Sequence, residues 1–503
     1  MPFGRTRRWV LVAAILGSSL AFIEGSVVNL ALPAIQSDFS ATSTGMQWVV
    51  NAYLLVLGAF LLIGGSLGDR YGLRRVFTLG TAVFGAGALA CAFAPSLGWL
   101  LAARALQGLG GALLVPASLA LIASHFPEKE RGRAIGTWAG ASALTVALGP
   151  VIGGWLVDAL GWPAVFLLVV PLAAATVALA LWRVPADTPA AGAAPDYAGA
   201  LMLAAALGLL ILALVHTGAA WQRVAMAVAA VALGAAFVQR ERHCEAPMLP
   251  LELFRSRYFA GANLMTLLLY FALSGVVFFL PFNLIQVQGW SATAAGAAFL
   301  PFTLIMGFGS TLAGGLIRRY DPRRLLTFGP MVAGAGFAAL ALPGTDARFV
   351  TGFLPGITLI GIGMTLSVAP LTTVVMGSVD ERFAGTASGV NNTAARIAGV
   401  LAVAALTALA LPVFEAALAA RLHAAGLPDA LIGELLARSA ALAELAAPDG
   451  TPAELAARVD DAVAHAYVRT FRVLVATCGL VAVASGLIAW RFLPRRASDA
   501  GNR

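Results

Sequence analysis

Two ionisable side chains stand where water is scarce. Glu24 lies in the apolar run FIEGSVVNLALP (residues 22–33), and Arg104 in LLAARALQGLGGA (residues 100–112). An arginine in the middle of a membrane helix costs about 2.5 to 3.5 kcal/mol, so Arg104 should face a partner or a watery cavity. Gln107, three residues on, shares its helix face. At about 1.5 Å per residue, Glu24 is about 12 Å from the outer end of its helix, while Arg104 and Pro150 are each about 10 Å from theirs. The three share one layer. A carboxyl held between an apolar wall and a cation can load a proton on one side of a membrane and release it on the other. The plainer alternatives are a neutral acid hydrogen-bonded to a neighbouring helix, and an arginine whose head reaches the outer surface.

Two further runs carry helix-end and helix-bend chemistry. GGSLGDRYGLRR (residues 64–75) sets Asp69 beside a glycine turn and several arginines, so that Gly65, Asp69, Arg70, Gly72, Arg74 and Arg75 can form a charge latch made and broken as helices rock. A simple basic anchor would explain the arginines but not Asp69 and Gly72. GTWAGASALTVALGPVIGG (residues 136–154) places Gly136, Gly149, Pro150 and Gly153 in one helix, where glycines permit close approach and the proline removes a hydrogen bond and bends the chain. Candidates for a substrate cavity are Trp48, Tyr53, Gln107, Trp138, Tyr270, Phe278, Asn391 and Asn392, with Arg396 a further polar residue inside an apolar run. For any one of the aromatics, helix packing is an equal alternative. An aromatic cavity with one carboxylate would suit an amphipathic cation.

The elements that position these residues follow from composition. The chain has 503 residues, 60% hydrophobic and 11% charged, against about 25% charged in a soluble domain. A soluble enzyme is excluded. Fourteen apolar stretches near the spanning length of about 20 residues can be marked off between residues 9 and 491. With the N-terminus placed inside, 23 of the 32 basic residues fall in the inner segments and 6 in the outer ones, the asymmetry expected of cytoplasmic loops. The net charge of +8 therefore reports topology, with the basic residues scattered between apolar runs, and no nucleic-acid partner is expected. The first stretch lacks an A-x-A cleavage site and is expected to be retained. Cys91, Cys244 and Cys478 are far apart, the five histidines are isolated, and there is no Walker loop. No metal, cofactor or ATP is expected; protons would be the coupling ion.

The sequence also repeats itself. Residues 69–75 match 318–324 at an offset of 249, and Gly108, Gly110 and Gly136 match Gly361, Gly363 and Gly389 at 253. Repeated halves with a site between them mark a secondary transporter. The expected division is a six-helix bundle over 1–183, an inserted helix pair and linker over 184–258, and a second six-helix bundle over 259–503. The latter carries an acidic helical loop, 413–468, capping the outer vestibule as a cover, a gate or a cation funnel.

Residues 64–75 resemble the loop signature of the major facilitator superfamily, with Leu73 where a basic residue is common. Residues 100–112 are similar to its fourth-span signature, in which the arginine is linked to proton transfer. Residues 136–154 resemble the antiporter signature of drug exporters, Thr145 replacing the middle glycine. Residues 22–33 resemble the first-span signature of the fourteen-span drug/proton antiporter branch, with Glu24 at the acid, Ser26 at the threonine, and Asn29, Ala31, Leu32 and Pro33 matching; QWVVNAYLL (residues 47–55) also suits that branch. The resemblance implies an all-α membrane fold of two six-helix bundles plus an inserted pair. It implies a multi-pass protein of the bacterial cytoplasmic membrane, both termini cytoplasmic, working as a monomer in the lipid bilayer. Its activity would be alternating-access export of amphipathic, cationic drugs or biocides against protons, with Glu24 the proton acceptor and Arg104 its electrostatic partner. An exporter of an endogenous metabolite, lipid or secondary product is the alternative on the same signatures, and a non-transporting membrane sensor the one from another class.

Overall fold

The computed structural model describes residues 4–186, 196–215, 219–244, 247, 249, 251–316, 320–379, 384–448 and 450–493, with the side chains of some helical positions, Asp69 among them, left aside. Sixteen α-helices follow in order among them: α1 (Arg5–Asp38), α2 (Ser43–Tyr71), α3 (Leu73–Ala92), α4 (Leu97–His125), α5 (Glu128–Leu160), α6 (Pro163–Arg183), α7 (Tyr197–Val215), α8 (Ala220–His243), α9 (Arg257–Phe282), α10 (Ala292–Ala297), α11 (Leu300–Leu316), α12 (Pro322–Leu340), α13 (Leu354–Gly377), α14 (Ala384–Ala424), α15 (Asp429–Ala437) and α16 (Ala453–Phe492). Side-chain caps fix several starts: Thr42, Ser96, Ser256 and Ser291 each accept a backbone N–H three residues on. Gly72, at φ 93°, ends α2 and begins α3 without a linker, a backbone that residues with a Cβ rarely adopt.

Among the described residues twelve spans, one of them running through α10 and α11, are long and apolar enough to cross a membrane. The expected fourteen is not reached by that measure. Among the described residues α5 qualifies only as the shorter stretch Leu148–Leu160, and α12, diluted by Arg323, Arg324, two prolines and three glycines, is not among the twelve. Within 413–468, α14 runs on to Ala424, α15 follows and α16 begins at Ala453.

Helices α1 to α6 pack on one another, as do α9 and α11 to α16. The repeat read from the sequence reappears as matched contacts. A Cβ on Gly80 would crowd Leu114 N and Gly110 O, and one on Gly329 would crowd Ser367 Oγ and Gly363 O. Gly87 lies on Gln107 N (2.8 Å) as Gly336 lies on Ile360 N (2.7 Å), each distance measured from the Cβ that a substitution would add. Gly108 sits against Tyr53 O and Gly361 against Phe302. The α3–α4 and α12–α13 pairs thus share one small-residue seam, the close packing that replaces hydrophobic collapse in a bilayer.

Helices α7 and α8 pack together, and α7 also touches α2 and α14. Their junction is pinned by Asp196, which accepts Arg240 Nε at 2.8 Å on both oxygens and Gly199 N at 2.9 Å. The Arg240 hydrogen bond, followed by the backbone N–H groups, holds the Asp196 carboxyl below the usual carboxylate range. A lowered native value contributes stability above the unfolded value near 3.9 that disappears as pH falls through the folded one. Asp196→Asn should therefore lower the thermal midpoint of Trp221 fluorescence at pH 7, and parent and variant should converge as the pH is taken below about 3.9.

Candidate functional site

At the heart of the α1–α6 group, Glu24 and Arg104 meet. Glu24 is 1% and Arg104 2% exposed. Arg104 Nη1 donates to Glu24 Oε1 and, at 2.7 Å, to Gln107 Oε1, while its Nε donates to the carbonyl of Val49 at 3.0 Å. The guanidinium carbon lies 4.5 Å from the centroid of the Tyr53 ring and 5.8 Å from that of Phe166, a desolvated cation–π setting. Four helices, α1, α2, α4 and α6, therefore converge on one cation. The Gln107 amide faces the Glu24 carboxyl, but neither Glu24 Oε2, Gln107 Nε2 nor the Tyr53 hydroxyl makes a hydrogen bond of good geometry among the described residues. A buried polar atom without a partner asks for an explanation, and a carboxylate oxygen accepts only until it binds a proton. The arrangement can exchange one proton at Oε2 without dismantling the contact at Oε1. Gln47 and Asn51, one turn apart on α2, add four more orphaned amide atoms.

The remaining sequence candidates are spread over the fold. Gly149 and Pro150 are buried in α5, and Gly153 lies against Val27 of α1. Gly65, Asp69 and Gly136 have side-chain positions outside the described residues, so the latch is visible only through its arginines. Arg70 stacks on Tyr71 (5.7 Å), Arg74 donates to the carbonyl of Leu181 at the end of α6, and Arg75 is exposed. Of the cavity candidates, Tyr53 and Gln107 join the ion pair. Trp48 packs against Ile211, Val400 and Ala404, and Trp138 donates to Ser18 Oγ at 3.0 Å, which meets Ser118 Oγ at 2.7 Å. Phe278 packs with Phe279 and Phe282, and Asn391 accepts Thr266 Oγ1. Tyr270 is half-buried and Asn392 exposed.

Contacts that the sequence did not announce close one end of the molecule, the end carrying residues 425–452. Asp158, at the end of α5, accepts Ala292 N (2.9 Å), Thr293 N (2.8 Å) and Thr293 Oγ1 at the start of α10. Below that clamp, a Cβ on Gly296 would collide with Pro150 O and one on Gly154 with Ala292 O. A 3₁₀ turn, Ser439–Glu444, seals the middle. Gln36 Nε2 of α1 donates to Ala441 O (3.0 Å), and Gln286 Nε2 donates to Glu444 Oε2 (2.7 Å). Burial holds the Glu444 carboxyl above the usual carboxylate range, against the pull of Ser37 and Gln286. Leu442 is buried at the tip with φ 53° and ψ −120°, a strained backbone for a residue with a side chain, and lines a small cavity with Gln36, Phe278, Phe282 and Tyr467. The acid at the end of a glycine-rich helix was the one available hint of the clamp.

Comparison with known proteins gives a consistent picture. The sequence matches the Major Facilitator Superfamily over residues 14–403. It is 33% identical over 512 residues to the multidrug resistance protein Stp of Mycobacterium tuberculosis (strain CDC 1551 / Oshkosh), covering 99% of this chain and 94% of that one. It is 34% identical over 416 residues to the tetracenomycin C resistance and export protein of Streptomyces glaucescens, covering 80% and 76%. Among solved structures, a bacterial homolog of the human lysosomal transporter Spinster, in an inward-facing and occupied conformation, superposes with a TM-score of 0.67 over 98% of both chains at 19% identity, a likeness of fold.

Proposed function

Because the chain belongs to the major facilitator superfamily, whose members are transporters, we propose that it is a proton-coupled antiporter exporting amphipathic drugs or biocides by alternating access. The observation that carries this reading is the buried Glu24–Arg104 pair. A structural scaffold has no use for a titratable acid there, since a buried pair is commonly no more stable than an apolar replacement. The names of the relatives, multidrug and antibiotic resistance proteins, support export. Glu24 is the proton acceptor, Arg104 its electrostatic partner, the Asp69 to Arg75 run the cytoplasmic latch, and Gly149 with Pro150 the bend that restricts leak.

The proposal includes fourteen spans with both termini cytoplasmic, divided as 1–183, 184–258 and 259–503, which puts residues 425–452 outside the cell. The expected cationic cargo was read from an aromatic cavity with one carboxylate. With Arg104 on that carboxylate, the charge of the cargo follows from other residues. In vesicles with an internal pH dye, addition of a transported compound should release protons from the acidified side, and an exporter-deficient host should gain resistance to that compound. Compound movement with no proton movement would overturn the coupling.

A further inference from the structure

Arg396 stands in α14, about 18 Å from the start of that helix at 1.5 Å per residue, and therefore deep within the bundle. Its surroundings are set by three helices. A Cβ on Gly58 of α2 would lie 3.6 Å from Arg396 Cβ. Gly399, nearly one turn on, is flanked by Leu54 of α2 (3.4 Å) and Ser274 of α9 (3.3 Å), measured from the Cβ it lacks. Arg396 thus occupies the seam between the α1–α6 group and the α9–α16 group, where a cargo must pass if the two groups rock against each other.

No carboxylate among the described residues pairs with it. Of the acids in the described helices, Glu24 alone lies at mid-span, and Arg104 already engages it. Arg396 is therefore left without a carboxylate among the described residues. Arg396 is half-buried. A cation kept inside a span is expensive and marks a functional contact. Its planar fork matches an oxyanion in a way that a hydrated ammonium does not.

We propose that Arg396 is the specificity-determining residue for the cargo and selects an amphipathic oxyanion, an aromatic carboxylate or phenolate, whose charged end lies on the guanidinium. This rests on the transport reading above and gives its cargo a negative charge in place of the positive one expected from the sequence.

The test uses the purified full chain in nanodiscs and three probes on one ring system: 9-anthracenecarboxylate, 9-anthracenemethanol and 9-anthracenylmethylammonium, titrated by fluorescence. The parent should bind the carboxylate at least tenfold tighter than the alcohol, and the ammonium weakest. Arg396→Gln should erase the carboxylate preference while leaving the alcohol affinity within about twofold, and Arg396→Lys should keep the preference in reduced form. A parent that binds none of the probes, binds the ammonium best, or keeps its carboxylate preference in Arg396→Gln overturns the assignment. Should Arg396→Gln not survive purification, Arg396→Lys decides, since loss of the preference with the charge retained also overturns it. Proton movement is read separately: Arg396-dependent carboxylate binding with no proton exchange would leave this inference standing and sink the antiport reading.

Discussion

Glu24→Gln will abolish proton-driven exchange while leaving the fold and cargo binding in place. The amide keeps the size of the carboxyl and an oxygen that can accept from Arg104 Nη1, so the contacts of Arg104 with Gln107 and Val49 survive. What disappears is the titratable oxygen, and no second acid in the described mid-spans can take over. In proteoliposomes with an imposed proton gradient, gradient-driven uptake should fall to the protein-free background. Undiminished exchange would remove Glu24 from the coupling role. Truncations should behave differently, because removing one partner of a buried pair strands the other and costs about 3 to 5 kcal/mol. Arg104→Ala alone should unfold at markedly lower temperature than the parent, and Glu24→Ala with Arg104→Ala should recover most of the loss while remaining uncoupled. That recovery would separate a defect in coupling from a defect in folding.

Gly296→Leu should block transport as completely, by a steric route. Its Cβ would occupy the position of Pro150 O and come within 3.1 Å of Leu30 Cδ1, closer than atoms of a backbone and a helix neighbour can relax around. The α5–α10 contact could then not form, and the end closed by Asp158 and the 439–444 turn would stay open. With the native cysteines replaced, an Asp158→Cys and Thr293→Cys pair should cross-link readily in the parent background and slowly once Gly296→Leu is added. Normal export by Gly296→Leu would show that this contact is no part of the cycle.

Much of the fold was legible because membrane helices advertise themselves by apolar length and because the repeat spacing preserves glycines where backbones touch. Gly108 and Gly110 could be paired with Gly361 and Gly363 because a seam with no room for a Cβ leaves little choice of residue, and the structure adds Gly80 and Gly87 opposite Gly329 and Gly336. The Glu24–Arg104 meeting followed from depth arithmetic. Its other partners did not: the acceptor at residue 49 is a backbone carbonyl, which any side chain could carry, and Phe166 is one aromatic among many. Trp48, Trp138, Phe278 and Asn391 illustrate the same limit, since an aromatic or amide in a span reads alike whether it faces a neighbour or a cargo. The turn at 439–444 was out of reach for a different reason. Gln36 and Ala441 are separated by 405 positions, and nothing local in either segment specifies the other.

The placement of the two arginines on opposite packing groups has an electrical consequence. One elementary charge crossing 100 mV is worth about 2.3 kcal/mol. An exporter that trades one proton for one monovalent cation moves no net charge, and the pH gradient alone drives it. Trading one proton for one monoanion carries two positive equivalents inward per turnover, so an interior-negative 100 mV contributes about 4.6 kcal/mol. That is a little over three decades of cargo gradient at about 1.4 kcal/mol per decade. Under the proposed coupling, a one-for-one exchange of proton for monoanion would be driven by voltage and would continue after the pH difference across the membrane has collapsed.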